Sequence, residues 1–220
     1  MSYFKQVVLA IADLIGLNWL FRKMNAGKVR VLMYHGVTSQ RPETFCWTVL
    51  ARDKFAWQMD YLRKHYDVRP ASEILIDDPE RHRSPGATVI TFDDGLENNF
   101  TEAWPILREK QLPAICFVLP GLSQRGEQVW ADDLFEYFLQ QPEGEVDLSN
   151  HGLGIVRLPA DNTGRAGIIA GVLEKIKTWL ADERTALMDH LLPDRTTDTL
   201  KRTGLFQLMS IDQINQLAAS

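Results

Sequence analysis

Asp93 and Asp94 stand side by side after the run Ala87-Thr88-Val89-Ile90-Thr91-Phe92, and Gly95 follows them directly. A short apolar, β-branched run ended by glycine reads as a strand buried on both faces, the kind found in parallel sheets flanked by helices. The C-terminal ends of such strands are where these folds assemble reactive groups. Neighbouring side chains on a strand point to opposite faces, so the two acids can serve one site only where the strand gives way to the Gly95 loop. There, one carboxylate can bind a hard or borderline cation while the other acts as general base on water. A purely structural account of the same residues makes Asp94-Gly95 a turn and Asp93 a cap for a helix from Glu97 onward.

His35 has a similar setting, ending the run Val29-Arg30-Val31-Leu32-Met33-Tyr34 and preceding Gly36. If the two strands are parallel members of one sheet, their ends share a rim, and an imidazole there can protonate a leaving group near neutral pH. The alternative is a hydrogen-bonded histidine without chemistry. Trp130 beside Asp132 and Asp133 offers an aromatic face for a sugar ring and carboxylates for its hydroxyls. Equally, Trp130 can anchor a helix over 132–140 with the acids in its first turn. The other histidines, His65, His82, His151 and His190, form no local metal pair, since no two of the five lie closer than 17 positions. Cys46 and Cys116, 70 positions apart, imply neither a zinc knuckle nor a disulfide framework.

The elements that must hold these residues follow from periodicity. A strand over 29–35 precedes a loop. A helix over 54–65 then carries Phe55, Met59 and Leu62 on one face, followed by a short strand at 66–68 and a helical turn at 71–75. After a charged loop at 79–86 come the strand ending at Asp93, a helix over 97–110 that Pro105 kinks or restarts, and a strand over 113–119. Alternating strands and helices make the fold α/β. Beyond Pro120 the reading is helical, at 132–140, 166–180, 184–192 and 211–219, an insertion of about 130–205 within a domain spanning 29–220. Glu143, Glu145 and Asp147 read as a solvated loop. Ser210 with Gln213 reads as a capping box.

Residues 1–28 form a separate amphipathic segment, with Phe4, Val7, Val8, Ile11, Leu14 and Ile15 at helical spacing. Asp13 and Asn18 interrupt the apolar run, which fits neither a spanning helix nor a secretory signal. The helix packs on the domain or, as the alternative, lies on a membrane surface with Arg22, Lys23 and Lys28 toward headgroups. The expected location is therefore cytoplasmic, with membrane association as the variant. A net charge of −5 and a pI near 5.6 argue against nucleic acid as a partner. The 45% hydrophobic and 24% charged residues over 220 positions exclude disorder.

Thr91-Phe92-Asp93-Asp94-Gly95, Val31-Leu32-Met33-Tyr34-His35-Gly36-Val37, Pro113-Ala114-Ile115-Cys116-Phe117-Val118 and Trp130-Ala131-Asp132, in their order, resemble the polysaccharide deacetylase family (NodB-homology, carbohydrate esterase family 4). The Tyr-His-Gly-Val form resembles its permuted branch. The resemblance implies a distorted (β/α) barrel and removal of N- or O-acetyl groups from a polysaccharide with a divalent metal, usually zinc. It implies Asp93 as general base, Asp94 as metal ligand and His35 as general acid. The family's paired metal-binding histidines, a His-Thr or His-Ser followed shortly by His, have no counterpart among the five histidines. The expectation is therefore a partial barrel, an N-terminal fragment of a longer deacetylase. The alternative is a truncated, inactive homologue that binds a glycan or a partner.

Overall fold

The computed structural model describes residues 16–25, 27–40, 46–74, 87–193 and 203–219. His82 and most of the N-terminal amphipathic segment lie outside the described residues. Of that segment, helix α1 (Leu17–Met24) is described.

The centre is a parallel sheet of β1 (Arg30–Tyr34), β4 (Asp67–Val68), β5 (Ala87–Phe92) and β6 (Ile115–Cys116). Every residue of β5 is buried, as its uninterrupted apolar and Thr sequence requires of a strand covered on both faces. It pairs with β1 along its length, with β4 at its start and with β6 at its end. Helices α2 (Arg52–His65) and α4 (Trp104–Lys110) cover the sheet, packing Phe55, Met59, Leu62, Ile106 and Leu107 against Ile90 and Phe92. Tyr34, Phe55 and Phe92 meet in this core with ring centroids 5.3 to 5.8 Å apart. Helical turn α3 (Ala71–Ile74) closes a smaller cluster with Ala87 and Val89.

Three features depart from the sequence expectation. The chain does not leave the sheet system at Gly36 but resumes as β2 (Gly36–Thr38), parallel to β3 (Val49–Ala51). A Cβ at Gly36 would lie 3.2 Å from the Val49 side chain and 3.3 Å from that of Asn98, so any larger residue here would push these side chains back by a few tenths of an ångström. The strand expected over 113–119 shrinks to Ile115–Cys116, between Pro113, which has no N–H to donate, and Pro120, which opens helix α5 (Pro120–Arg125). The helix expected over 97–110 begins with a widened π turn at Asn99–Ala103 before α4, because Pro105 cannot donate the regular backbone bond.

The second half is helical as expected, in α6 (Trp130–Gln140), α7 (Asn162–Lys177), α8 (Ala181–Leu191) and α9 (Ile211–Ala218), with one correction. Of the acids read as a solvated loop, Glu145 and Asp147 lie on an antiparallel hairpin of β7 (Gly144–Leu148) and β8 (Gly154–Leu158), and Glu143 precedes it. Its period-two pattern sends Leu148, Val156 and Leu158 into a core with Phe138, Ile169 and Ile176, while Glu145 faces out and pairs with Arg157 at 2.8 Å. The expected capping box is present at α9, with Gln213 N–H donating to Ser210 Oγ and Ser210 N–H to Gln213 Oε1. The described strands form an open sheet, as a partial, distorted barrel does.

Arg165 ties the helical lobe together. Its buried guanidinium donates to the carbonyls of Phe138, Leu139 and Gln141 at the end of α6 and to Pro159 ahead of α7. These are carbonyls that a helix C-terminus otherwise leaves unpaired, and the cation also opposes the negative end of the helix dipole. Arg165→Met keeps the aliphatic bulk and orphans them. The expected loss is about 3 kcal/mol, read as a lower urea midpoint at unchanged m-value.

Candidate active site

The parallel register of β1 and β5 sets Tyr34 opposite Phe92, so the next residues, His35 and Asp93, emerge side by side on one rim. The Asp93 N–H donates to Tyr34 carbonyl oxygen at 2.9 Å, carrying the pairing one step past the strand. Asp94 then takes φ +67° and Gly95 φ +69°, two consecutive left-handed residues. Aspartate tolerates that region better than most side chains. The double turn brings Asp94 Oδ2 to 4.0 Å from His35 Nε2. Asp93, Asp94 and His35 are thereby gathered at the sheet's C-terminal edge.

The loop is clamped from two sides. A Cβ on Gly95 would lie 2.9 Å from Val118 Cγ1 and 3.0 Å from its Cα. On the other side, Met209 N–H donates to Gly95 carbonyl oxygen and Glu97 N–H to that of Gln207. Asn98 bridges farther, accepting from Val37 N–H and donating to the Leu205 carbonyl.

A cavity of about 160 Å³ opens beside these residues, lined from the sheet side by His35, Trp47 and Asp94 and from the helical lobe by Asp132, Glu174 and Lys177. Burial raises the Asp94 pKa; His35 opposes the rise and Asp93 adds to it. Asp132 is pushed up to about 8 by burial first, then by Asp94, Glu136 and Asp133. Behind it, buried Glu136 accepts from the Thr203 N–H and hydroxyl. The Gln128 amide, turned with its nitrogen inward, donates to Glu136 and Asp133.

Of the residues singled out from sequence, Asp132 joins His35 and Asp94 around this cavity, while Trp130 does not. Trp130 packs on the helical core, and the Arg184 guanidinium lies 5.4 Å from its ring centroid. The aromatic ring that does line the cavity is Trp47, which sequence reasoning passed over, because an isolated tryptophan in a loop carries no periodic signal. His151 and His190, read as separate structural histidines, form a hydrogen-bonded pair at 2.8 Å between the hairpin and α8.

A cation fits this rim only in part. Catalytic zinc normally takes three protein ligands, and two ligands on a tetrahedral ion sit roughly 3.3 Å apart for bonds near 2.0 Å. Asp94 and His35 are wider than that, and among the described residues no group of three His, Cys, Asp or Glu is placed to hold an ion.

Residues 80–168 match the family model for polysaccharide deacetylase. No curated protein sequence matches the chain significantly. Among solved structures it is similar to Streptococcus pyogenes deacetylase PplD in complex with acetate, at 25% identity over 45% of this chain and 46% of that one, TM-score 0.40. A polysaccharide deacetylase from Bacillus cereus is similar at 21% identity over 50% of this chain and 35% of that one, TM-score 0.38. IcaB from Ammonifex degensii is similar at 22% identity over 87% of this chain and 96% of that one, TM-score 0.37. The chain thus spans less than half the length of the first two structures.

Two outcomes test this geometry. Gly95→Ala forces a β-carbon into Val118 at a positive φ and is expected to cost about 2 kcal/mol, measured by urea denaturation. Asp132 in the unfolded chain ionises near its ordinary 3.8, whereas folded it keeps its proton to about 8. The folded state therefore binds the extra proton within that window, and stability falls as pH rises through it. Asp132→Asn removes this contribution, so the variant gains on wild type between about pH 5 and about pH 9, read from urea midpoints at the two values.

Proposed function

We propose that this chain, whose residues 80–168 match the family model for polysaccharide deacetylase, hydrolyses acetyl groups from an acetylated polysaccharide or N-acetylated glycan. The observation that carries this reading is the β1–β5 register, which sets a histidine and an acidic pair on one rim beside a small cavity. Hydrolysis of an acetyl amide needs an activated water, a stabilised tetrahedral oxyanion and a proton for the departing amine. In this reading Asp93 takes the proton from water as it attacks the acetyl carbon. His35, across the rim, gives a proton to the sugar nitrogen as the carbon–nitrogen bond breaks, leaving acetate and a free amine. For an O-acetyl group the same proton goes to the sugar oxygen.

A divalent cation, zinc by the family resemblance, belongs to the proposal, with Asp94 supplying one carboxylate. Bound, it would polarise the acetyl carbonyl and acidify water. The described residues do not complete its shell, and the roles of Asp93 and His35 stand on their own geometry. The further ligands are proposed to come from the rest of a longer deacetylase. This is supported by the open sheet and by a broad cleft of about 1620 Å³ where Ile115 and Cys116 of β6 face α9. A peripheral membrane contact through the N-terminal segment is supported by Trp19, Leu20, Phe21 and Met24, all exposed on α1 beside Lys23. No helix among the described residues is long and apolar enough to cross a membrane.

The test supplies purified chain with N-acetylated chito-oligosaccharides and O-acetylated xylan, with and without added zinc, and measures acetate. Zinc-stimulated release is expected, with Asp93→Asn and His35→Ala each lowering kcat by about 100-fold or more. Release that survives Asp93→Asn, or no release from either substrate, overturns the reading for this polypeptide. In the second case, retained glycan binding would favour a binding remnant.

A further inference from the structure

Trp47 is 59% exposed, yet it is held in one place. Its ring centroid lies 6.1 Å from that of His35, and Lys177 Nζ sits 5.6 Å from it on the side of the helical lobe. Lys177 in turn pairs with Glu174 one turn earlier on α7. Both residues line the cavity that His35 and Asp94 share. The loop before β3 thus supplies an aromatic face, and α7 supplies a hydrogen-bond donor and an acceptor beside it. Single exposed aromatics are ordinary on protein surfaces. This one is set apart by a cation–π contact that orients the ring, by its closeness to the proposed general acid and by its place in the wall of a concave site.

The cavity's size decides what can enter. At about 160 Å³ it has the volume of about five water molecules in the liquid, room for one sugar ring or an acetyl group but not for a length of chain. A pyranose ring presents an apolar C–H face that stacks on indole, and hydroxyls around its edge that can accept from an ammonium and donate to a carboxylate. Trp47, Glu174 and Lys177 all lie outside residues 80–168, so this wall is separate from the stretch that matches the family model.

We propose that Trp47, Glu174 and Lys177 form a sugar-binding subsite that holds one pyranose ring of the acetylated chain against the His35 side of the site. Trp47 stacks on the ring, and the Glu174–Lys177 pair bonds its hydroxyls. The assignment rests on the deacetylase reading of His35, Asp93 and Asp94. It makes the helical lobe a specificity element rather than a passive cover.

Isothermal titration of the purified chain with N-acetylated chito-oligosaccharides of two to six sugars provides the test, alongside acetate release from the same ligands and from a small aryl acetate. Trp47→Ala should weaken oligosaccharide binding roughly three- to tenfold, Trp47→Phe should restore most of it, and Lys177→Ala and Glu174→Ala should each weaken it severalfold. Aryl acetate hydrolysis is followed in parallel, and in each variant KM for the oligosaccharide should rise by more than KM for the aryl acetate. Far-UV circular dichroism and melting check that the variants fold; Trp47→Phe and Lys177→Ala decide the matter if Trp47→Ala does not. Wild-type affinity in the Trp47 and Lys177 variants, or no binding of any oligosaccharide by the wild type, overturns the subsite. Trp47-dependent binding without acetate release leaves the subsite standing and removes the deacetylase reading. Asp93-dependent release with KM unaffected by Trp47→Ala does the reverse.

Discussion

The parallel pairing of β1 with β5 is the constraint on which the rest of the site depends. With Tyr34 opposite Phe92, backbone hydrogen bonding alone decides that His35 and Asp93 reach the rim as neighbours. A slip of one residue would turn every β5 side chain to the other face. Because both faces of β5 are buried, the packing of Phe55 and Phe92 on one side and Val89 on the other holds that register in place. The core under the sheet and the spacing of the reactive groups are thus one structural fact.

At the end of that pairing the chain must turn so that two adjacent acids serve one space. The two left-handed residues do this, and the surroundings hold them there: Val118 closes over Gly95, while the segment at 205–209 bonds the loop from the opposite side. That second clamp comes from the far side of the helical lobe. Sheet and lobe therefore meet at the site itself, where the charge of Asp94 acts on Asp132 of the lobe. Burial shifts both the Asp94 and Asp132 carboxyls upward, with Asp93 adding to the rise at Asp94 and Asp94 to the rise at Asp132.

Much of the architecture was legible along the chain, since it rests on local periodicity. The helices over 52–65, 130–140 and 162–177, the buried strand at 87–92 and the capping box at Ser210 each announce themselves by spacing. Legibility failed where structure depends on distant partners. The strand at 36–38 exists because Val49 approaches Gly36. The hairpin at 144–158 is held by the core beneath it, while its outward acids look like loop. The strand expected over 113–119 is cut short by its flanking prolines, so that its ladder with β5 is confined to Ile115 and Cys116, with one further bond from the Phe117 N–H to the Phe92 carbonyl.

The candidate site divides in the same way. Sequence by itself determined the chemical inventory, His35, Asp93 and Asp94 at strand ends beside glycines, because strand, turn and residue type are adjacent in the chain. Only the tertiary structure decided which groups share a space. It brings Asp132, Trp47, Glu174 and Lys177 to the same cavity and turns Trp130 into the helical core. The reason is physical: which face of a helix or loop meets the rim depends on how the lobe packs against the sheet, and that packing joins residues more than a hundred positions apart.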